Sequence, residues 1–179
     1  KTEKNLGQPS EKAKIYFTLI RKVNPDFAFE TTIERVRAYK KKKQYDKARA
    51  LLELISGTLL FNTEIKYEYA VIQLKTSKKD LSITLRSQDS ALSLFQSLIP
   101  QKNFGLVEKI KKEKVLSPED IFYLGFHFSE KLFDQKDFGV QMLRTVIAKY
   151  KTSSFAKNAK KKLELSGATG FVPSISRKR

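Results

Sequence analysis

Apolar residues recur at spacings of three and four along most of this chain, the period of helices with one buried face. Ser10 is placed to cap a helix from Glu11, whose stripe is Ala13, Phe17 and Ile20, flanked by Tyr16 and Val23. Asn24-Pro25-Asp26 is expected to stop it. A second helix is predicted over residues 29–42, with Ile33, Val36 and Tyr39 on its stripe. A third starts near Tyr45, carries Ala48, Leu51, Leu52 and Ile55, and ends at Ser56-Gly57. The short polar break at Lys43-Gln44 predicts an antiparallel helical hairpin. A fourth helix spans residues 63–75, through Ile65, Tyr67, Ala70, Val71 and Leu74, and an irregular stretch follows over 76–86.

Asp89 or Ser90 opens a fifth helix with Ala91, Leu92, Phe95, Leu98 and Ile99, closed by Pro100. Residues 104–114 read as a short Lys-rich helix with Leu106, Val107 and Ile110 on one side. Ser117-Pro118-Glu119-Asp120 then combines a capping hydroxyl, a proline at the first helical position and acids in the first turn. That helix is predicted to reach Phe133 through Ile121, Leu124, Phe128 and Leu132, with a break over 134–137. Residues 138–150 form the next, with Val140, Leu143, Val146 and Ile147. Thr152 or Ser153 caps a last helix to Leu165, ended by Ser166-Gly167.

The expected class is therefore all-α. Composition narrows the function rather than the fold. With 179 residues the chain has the length for one domain or a short array of small units. Hydrophobic residues make up 40%, too many for a disordered chain of this charge. The absence of Cys excludes a disulfide framework, a thiolate zinc site and a cysteine nucleophile, and a single His excludes paired-His metal sites. No run approaches the roughly 18–20 apolar residues that span a bilayer. The chain opens on Lys1, not Met, which fits a mature form whose targeting segment has been removed.

A repeat runs through the second helix of each hairpin: a small residue, a bulky one four positions on, and an apolar one three further. Its copies are Ala13/Phe17/Ile20, Ala48/Leu52/Ile55, Ala91/Phe95/Leu98 and Gly139/Leu143/Val146. Small residues there let helices approach closely, and the bulky ones fill the gap between hairpins. This pattern resembles the tetratricopeptide repeat. Gln44-Tyr45-Asp46-Lys47-Ala48 looks like that family's turn and second-helix start, and Tyr123-Leu124-Gly125-Phe126-His127-Phe128 looks like its Leu-Gly and Tyr positions. Residues 146–163, with Tyr150, Phe155-Ala156 and Ala159, are similar to the form found in bacterial cell-envelope proteins such as outer-membrane assembly lipoproteins. The copies are spaced by 35, 43 and 48 residues against the family's 34, with the extra residues in 76–89 and 101–116. The resemblance implies a short right-handed solenoid over residues 10–166, between a flexible arm (1–9) and a basic tail (167–179). It also implies a periplasmic or cell-envelope setting and a non-catalytic role in binding a protein partner.

Little in the chain offers catalysis. His127 is the one candidate base of its kind, set between Phe126 and Phe128. Glu119-Asp120 is explained by the helix dipole, and Ser-Gly-Ala-Thr-Gly after the last helix lacks the Lys-Ser/Thr of a phosphate loop. No cofactor or metal is implied.

Charge says more. The chain carries 36 Lys+Arg against 19 Asp+Glu, and the excess is clustered. Lys40, Lys41, Lys42 and Lys43 form one basic patch, Lys109, Lys111 and Lys112 a second, and Lys160, Lys161 and Lys162 a third. Solvated helix faces account for part of this, and electrostatic steering toward an anionic partner for the rest. Lys outnumbers Arg and the aromatics fall on apolar stripes, which argues against nucleic-acid reading; an acidic or amphipathic protein segment is the expected partner, with nucleic acid or an anionic membrane or cell-wall surface as the alternative. The groove positions that the resemblance carries over are Ile33, Arg37, Lys40 and Lys41 in one first helix. In the next they are Ile65, Glu68 and Ile72, and in a third Phe122, Phe126 and Ser129. Such a groove would be basic at one end and aromatic at the other, suited to a segment with apolar anchors and acidic flanks.

Overall fold

The structure, a computed structural model, describes residues 22–59, 62–77, 79, 81, 90–131 and 133–167. The expected N-terminal arm, the leading helix up to residue 21 and the tail beyond Gly167 lie outside the described residues. The described residues form eight α-helices and no strand: α1 (Pro25–Lys41), α2 (Tyr45–Leu59), α3 (Thr63–Thr76), α4 (Ser90–Leu98), α5 (Leu106–Lys112), α6 (Pro118–Phe128), α7 (Phe133–Lys149) and α8 (Ser154–Leu165). The described part of the protein is all-α, as its periodicity predicts. It divides into two compact units, one running to Leu106 and the other beginning at Val107.

In the first unit α1 packs on α2, α2 on α3, α3 on α4, and α1 also on α3. Asn24-Pro25-Asp26 both ends the preceding helix, whose described residues are Lys22 and Val23, and starts α1. The Asn24 side chain accepts the Phe27 amide at 3.0 Å, Pro25 takes the first position where its missing N–H costs nothing, and Asp26 faces the positive helix end. Ile33, Val36, Ala48, Leu52, Ile65 and Ile72 make the core, with Phe29, Tyr39, Tyr45, Leu51 and Tyr69 against it. α3 is the central element. Residues 70–74 are buried one after another, so α3 has no solvent stripe at its middle. The expected end of α2 at Ser56-Gly57 is passed, and the helix continues to Leu59.

In the second unit α6 packs on α7, α7 on α8, and α6 also on α8. The α6 start is as expected, a reciprocal capping box. The Asp120 amide donates to Ser117 Oγ at 3.2 Å, and the Ser117 amide to Asp120 Oδ2 at 2.8 Å. Close approach of α6 and α7 needs glycine on both sides. A Cβ on Gly139 would lie 2.1 Å from the Ser129 amide nitrogen, and one on Gly125 would lie 2.7 Å from Leu143 Cδ2. The break between the helices falls earlier than expected. α6 ends at Phe128, the turn is Ser129–Lys131, and residues 134–137 are already helical, with Asp134 favoured in the first turn of α7. The single helix expected over 104–114 is also divided. Gly105 takes φ +64° and separates a 3₁₀ turn (Lys102–Phe104) from α5.

Candidate functional site

The sequence-derived groove residues fall in the two places where a helix meets the next but one. On the α1–α3 face, Arg37, Lys40 and Glu68 come together and satisfy each other. Arg37 Nε donates to Glu68 Oε1 at 2.8 Å, Arg37 Nη2 to Glu64 Oε2 at 3.1 Å, and Lys40 Nζ to Glu68 Oε2 at 2.6 Å. The Glu68 side chain is 3% exposed and that of Lys40 9%, so this carboxylate and ammonium are withdrawn from water. Such a pair persists because the partners offset each other's desolvation. Ile33, Ile65 and Ile72 lie in the core and present no surface to a ligand. Of the groove residues expected in this unit, Arg37 and Lys41 remain exposed.

The α6–α8 face is built from rings. Phe122, 5% exposed, sits between Phe126 (centroids 6.0 Å apart) and Phe155 of α8 (5.7 Å). Phe126 and Phe155 are only half-buried. Lys162 Nζ lies 4.1 Å from the Phe126 centroid and pairs with Glu130, which follows α6. A cation over a ring face is attracted by its quadrupole. Ser129 is buried and donates its hydroxyl to the Phe126 carbonyl at 3.1 Å, a role in closing the helix end. His127 is buried edge-on to Tyr123 at 4.5 Å and to Phe126 at 5.5 Å. Phe155 and Lys162 complete this face from α8, seven residues apart and so on one side of the helix. Their spacing carries that signal, but only the folded contact shows that they meet Phe122 and Phe126.

The basic patches are less uniform than the Lys runs suggest. Lys40 is inside, while Lys41, Lys42 and Lys43 are exposed at the end of α1. On α5, Lys111 pairs with Glu108 at 2.6 Å, and that hydrogen bond holds the Glu108 carboxyl below its usual range. Lys149 Nζ reaches the Lys111 carbonyl at 3.1 Å, a cation on the negative end of α5. Lys109 is half-buried and Lys112 exposed. On α8, Lys160 and Lys161 face solvent, whereas Lys162 folds onto Phe126.

Among the described residues no group of three or more His, Asp or Glu side chains is placed to hold a metal ion, and no helix is long and apolar enough to cross a membrane. No protein-family model, curated protein or solved structure matches the chain.

Proposed function

We propose that the protein is a non-catalytic scaffold of TPR-like helical hairpins that holds a partner protein against its α6–α8 face. The observation that carries this reading is the pair of half-exposed rings, Phe126 and Phe155, fixed on the fully packed Phe122. Rigid aromatics give contact area at low entropic cost and are favoured binding anchors. Two features support the hairpin reading. In each unit the first helix of a hairpin packs on its own partner and on the helix after it. The small–bulky–apolar triplets Ala91/Phe95/Leu98 and Gly139/Leu143/Val146 are buried in full, as stacking requires.

A peptide library selected on the immobilised protein tests this. The expected result is enrichment of peptides with an aromatic or aliphatic anchor and acidic flanks. Their affinity should fall about tenfold or more when Phe126→Ala and Phe155→Ala are combined, given about 1–2 kcal/mol for losing two partly exposed anchors. Far-UV circular dichroism checks that the double variant is folded. Peptides that bind it as tightly as the parent would overturn the assignment of the face.

A further inference from the structure

We infer that the exposed turn Lys41-Lys42-Lys43 is a docking point for an acidic, Asp/Glu-rich segment of the protein partner. The inference rests on the partner-binding reading above but uses other residues, in the other unit. It begins with a backbone oddity. α1 ends in a Schellman turn, in which the Gln44 amide donates to the Tyr39 carbonyl at 2.9 Å and the Lys43 amide to the Lys40 carbonyl at 3.0 Å. The residue after the cap must then be left-handed, and Lys43 has φ +58°. Glycine suits that position because it has no Cβ to clash. The chain uses glycine at the equivalent position after α8, where Gly167 has φ +66°. At the end of α1 it keeps a lysine against the backbone preference.

The helix dipole accounts for cations in the last turn, Lys40 and Lys41, but its influence fades within a turn. It gives no reason for a lysine in place of glycine beyond the helix end. Nor do local contacts, since the ammonium groups of Lys41, Lys42 and Lys43 have no ion-pair or hydrogen-bond partner among the described residues. What the turn does present is three adjacent exposed cations, with Lys47 following and Asp46 as the one nearby acid of the turn and helix start.

The chemistry on offer also selects the kind of anion. The amides of Lys42, Lys43 and Gln44 are all taken by carbonyls of α1, so no backbone cradle remains for a phosphate. No Arg lies in the turn for bidentate phosphate contact, and Tyr45 packs against the core instead of standing out as a stacking platform. Three mobile point charges attract carboxylates without strict geometry, which suits an acidic peptide and speeds its encounter.

The test is fluorescence anisotropy of a labelled twelve-residue oligoglutamate at low salt, with a twelve-nucleotide single-stranded DNA as the competing probe. One variant combines Lys41→Gln, Lys42→Gln and Lys43→Gly, which keeps the turn. The control removes the same charge from α8 by Lys157→Gln, Lys160→Gln and Lys161→Gln. The expected result is about a tenfold loss of oligoglutamate affinity in the turn variant and less than about twofold in the control, from roughly 0.5 kcal/mol per directed charge. Equal losses in both would reduce the effect to net charge and overturn the assignment. So would a DNA probe that binds more tightly than oligoglutamate and loses more at the turn, which would make the occupant nucleic acid. Combined Phe126→Ala and Phe155→Ala should leave oligoglutamate binding unchanged, so failure of the aromatic face and failure of the turn give different results.

Discussion

In each unit a helix packs not only on its neighbour but on the next helix but one, and the two contacts are made of opposite chemistry. α1 meets α3 over Arg37, Lys40, Glu64 and Glu68, and α6 meets α8 over Phe122, Phe126 and Phe155. The charged contact is closed around Glu68 and Lys40, with Arg37 at its exposed rim. Glu68 spends both its oxygens on cations of α1, and the apolar residues around it are core. The aromatic contact is open, because packing three rings across two helices leaves the outer two half in solvent. A polar network must be satisfied to be tolerated, so it turns inward. Rings need no such completion and can pack on one side while exposing the other. A contact between a helix and the next but one is therefore a lock in one unit and a candidate contact surface in the other.

The largest effect should come from opening the lock. Glu68→Ala removes a buried carboxylate that both Lys40 and Arg37 bond and is expected to cost about 3–5 kcal/mol in urea unfolding. Replacing the pair together, Glu68→Leu with Lys40→Met, should recover most of that loss, because paired apolar residues avoid the desolvation of both charges. On the ring side, Phe122→Ala should cost about 3 kcal/mol by cavity formation, and no second substitution of a charge can restore it. If Glu68→Ala costs under about 1 kcal/mol, the charges are effectively solvated and the contrast between the units fails.

A second difference lies at the small residue of the small–bulky–apolar triplets. In the first unit it is Ala48 and Ala91, both fully buried with room for their methyl groups. In the second it is Gly139, where a methyl would stand 2.1 Å from the Ser129 nitrogen. Gly139→Ala forces backbone apart and is expected to cost about 3 kcal/mol, whereas Ala48→Gly should cost about 1 kcal/mol through helix propensity and a small void. Comparable costs at the two sites would mean that the α6–α7 approach is no tighter than α1–α2.

Much of this was legible in the sequence. Period alone gives α3 to within a residue, and period with the Ser153 cap and the Gly167 stop gives α8. The small–bulky–apolar triplets point to the buried helix faces. Boundaries set by tertiary contact were not legible. Gly139 lies against the amide that follows Phe128, the last residue of α6, and a contact eleven positions away leaves no mark on the local pattern. The groove residues show the same limit. Arg37, Lys40 and Glu68 read as surface by type, and only the meeting of α1 with α3 turns them into each other's partners. Phe126 is half-buried, and Phe155 and Lys162, which complete its face, come from a helix separated from it by all of α7.

The smallest effect concerns the two helix ends that share a left-handed residue. Gly167 after α8 adopts φ +66° without strain, and Lys43 after α1 adopts φ +58° with its Cβ against the backbone. Lys43→Gly removes a conformational cost of about 1–2 kcal/mol but frees the unfolded chain, which takes back about 0.4–1 kcal/mol. The net expectation is a stabilisation of about 0.5–1 kcal/mol, read as a higher urea midpoint at unchanged slope. Gly167→Ala should move the midpoint the other way by a similar amount, since it imposes on α8 the strain that α1 already carries. If Lys43→Gly instead destabilises the protein, the lysine is held by a contact that the turn geometry does not contain, and the two helix ends are not equivalent.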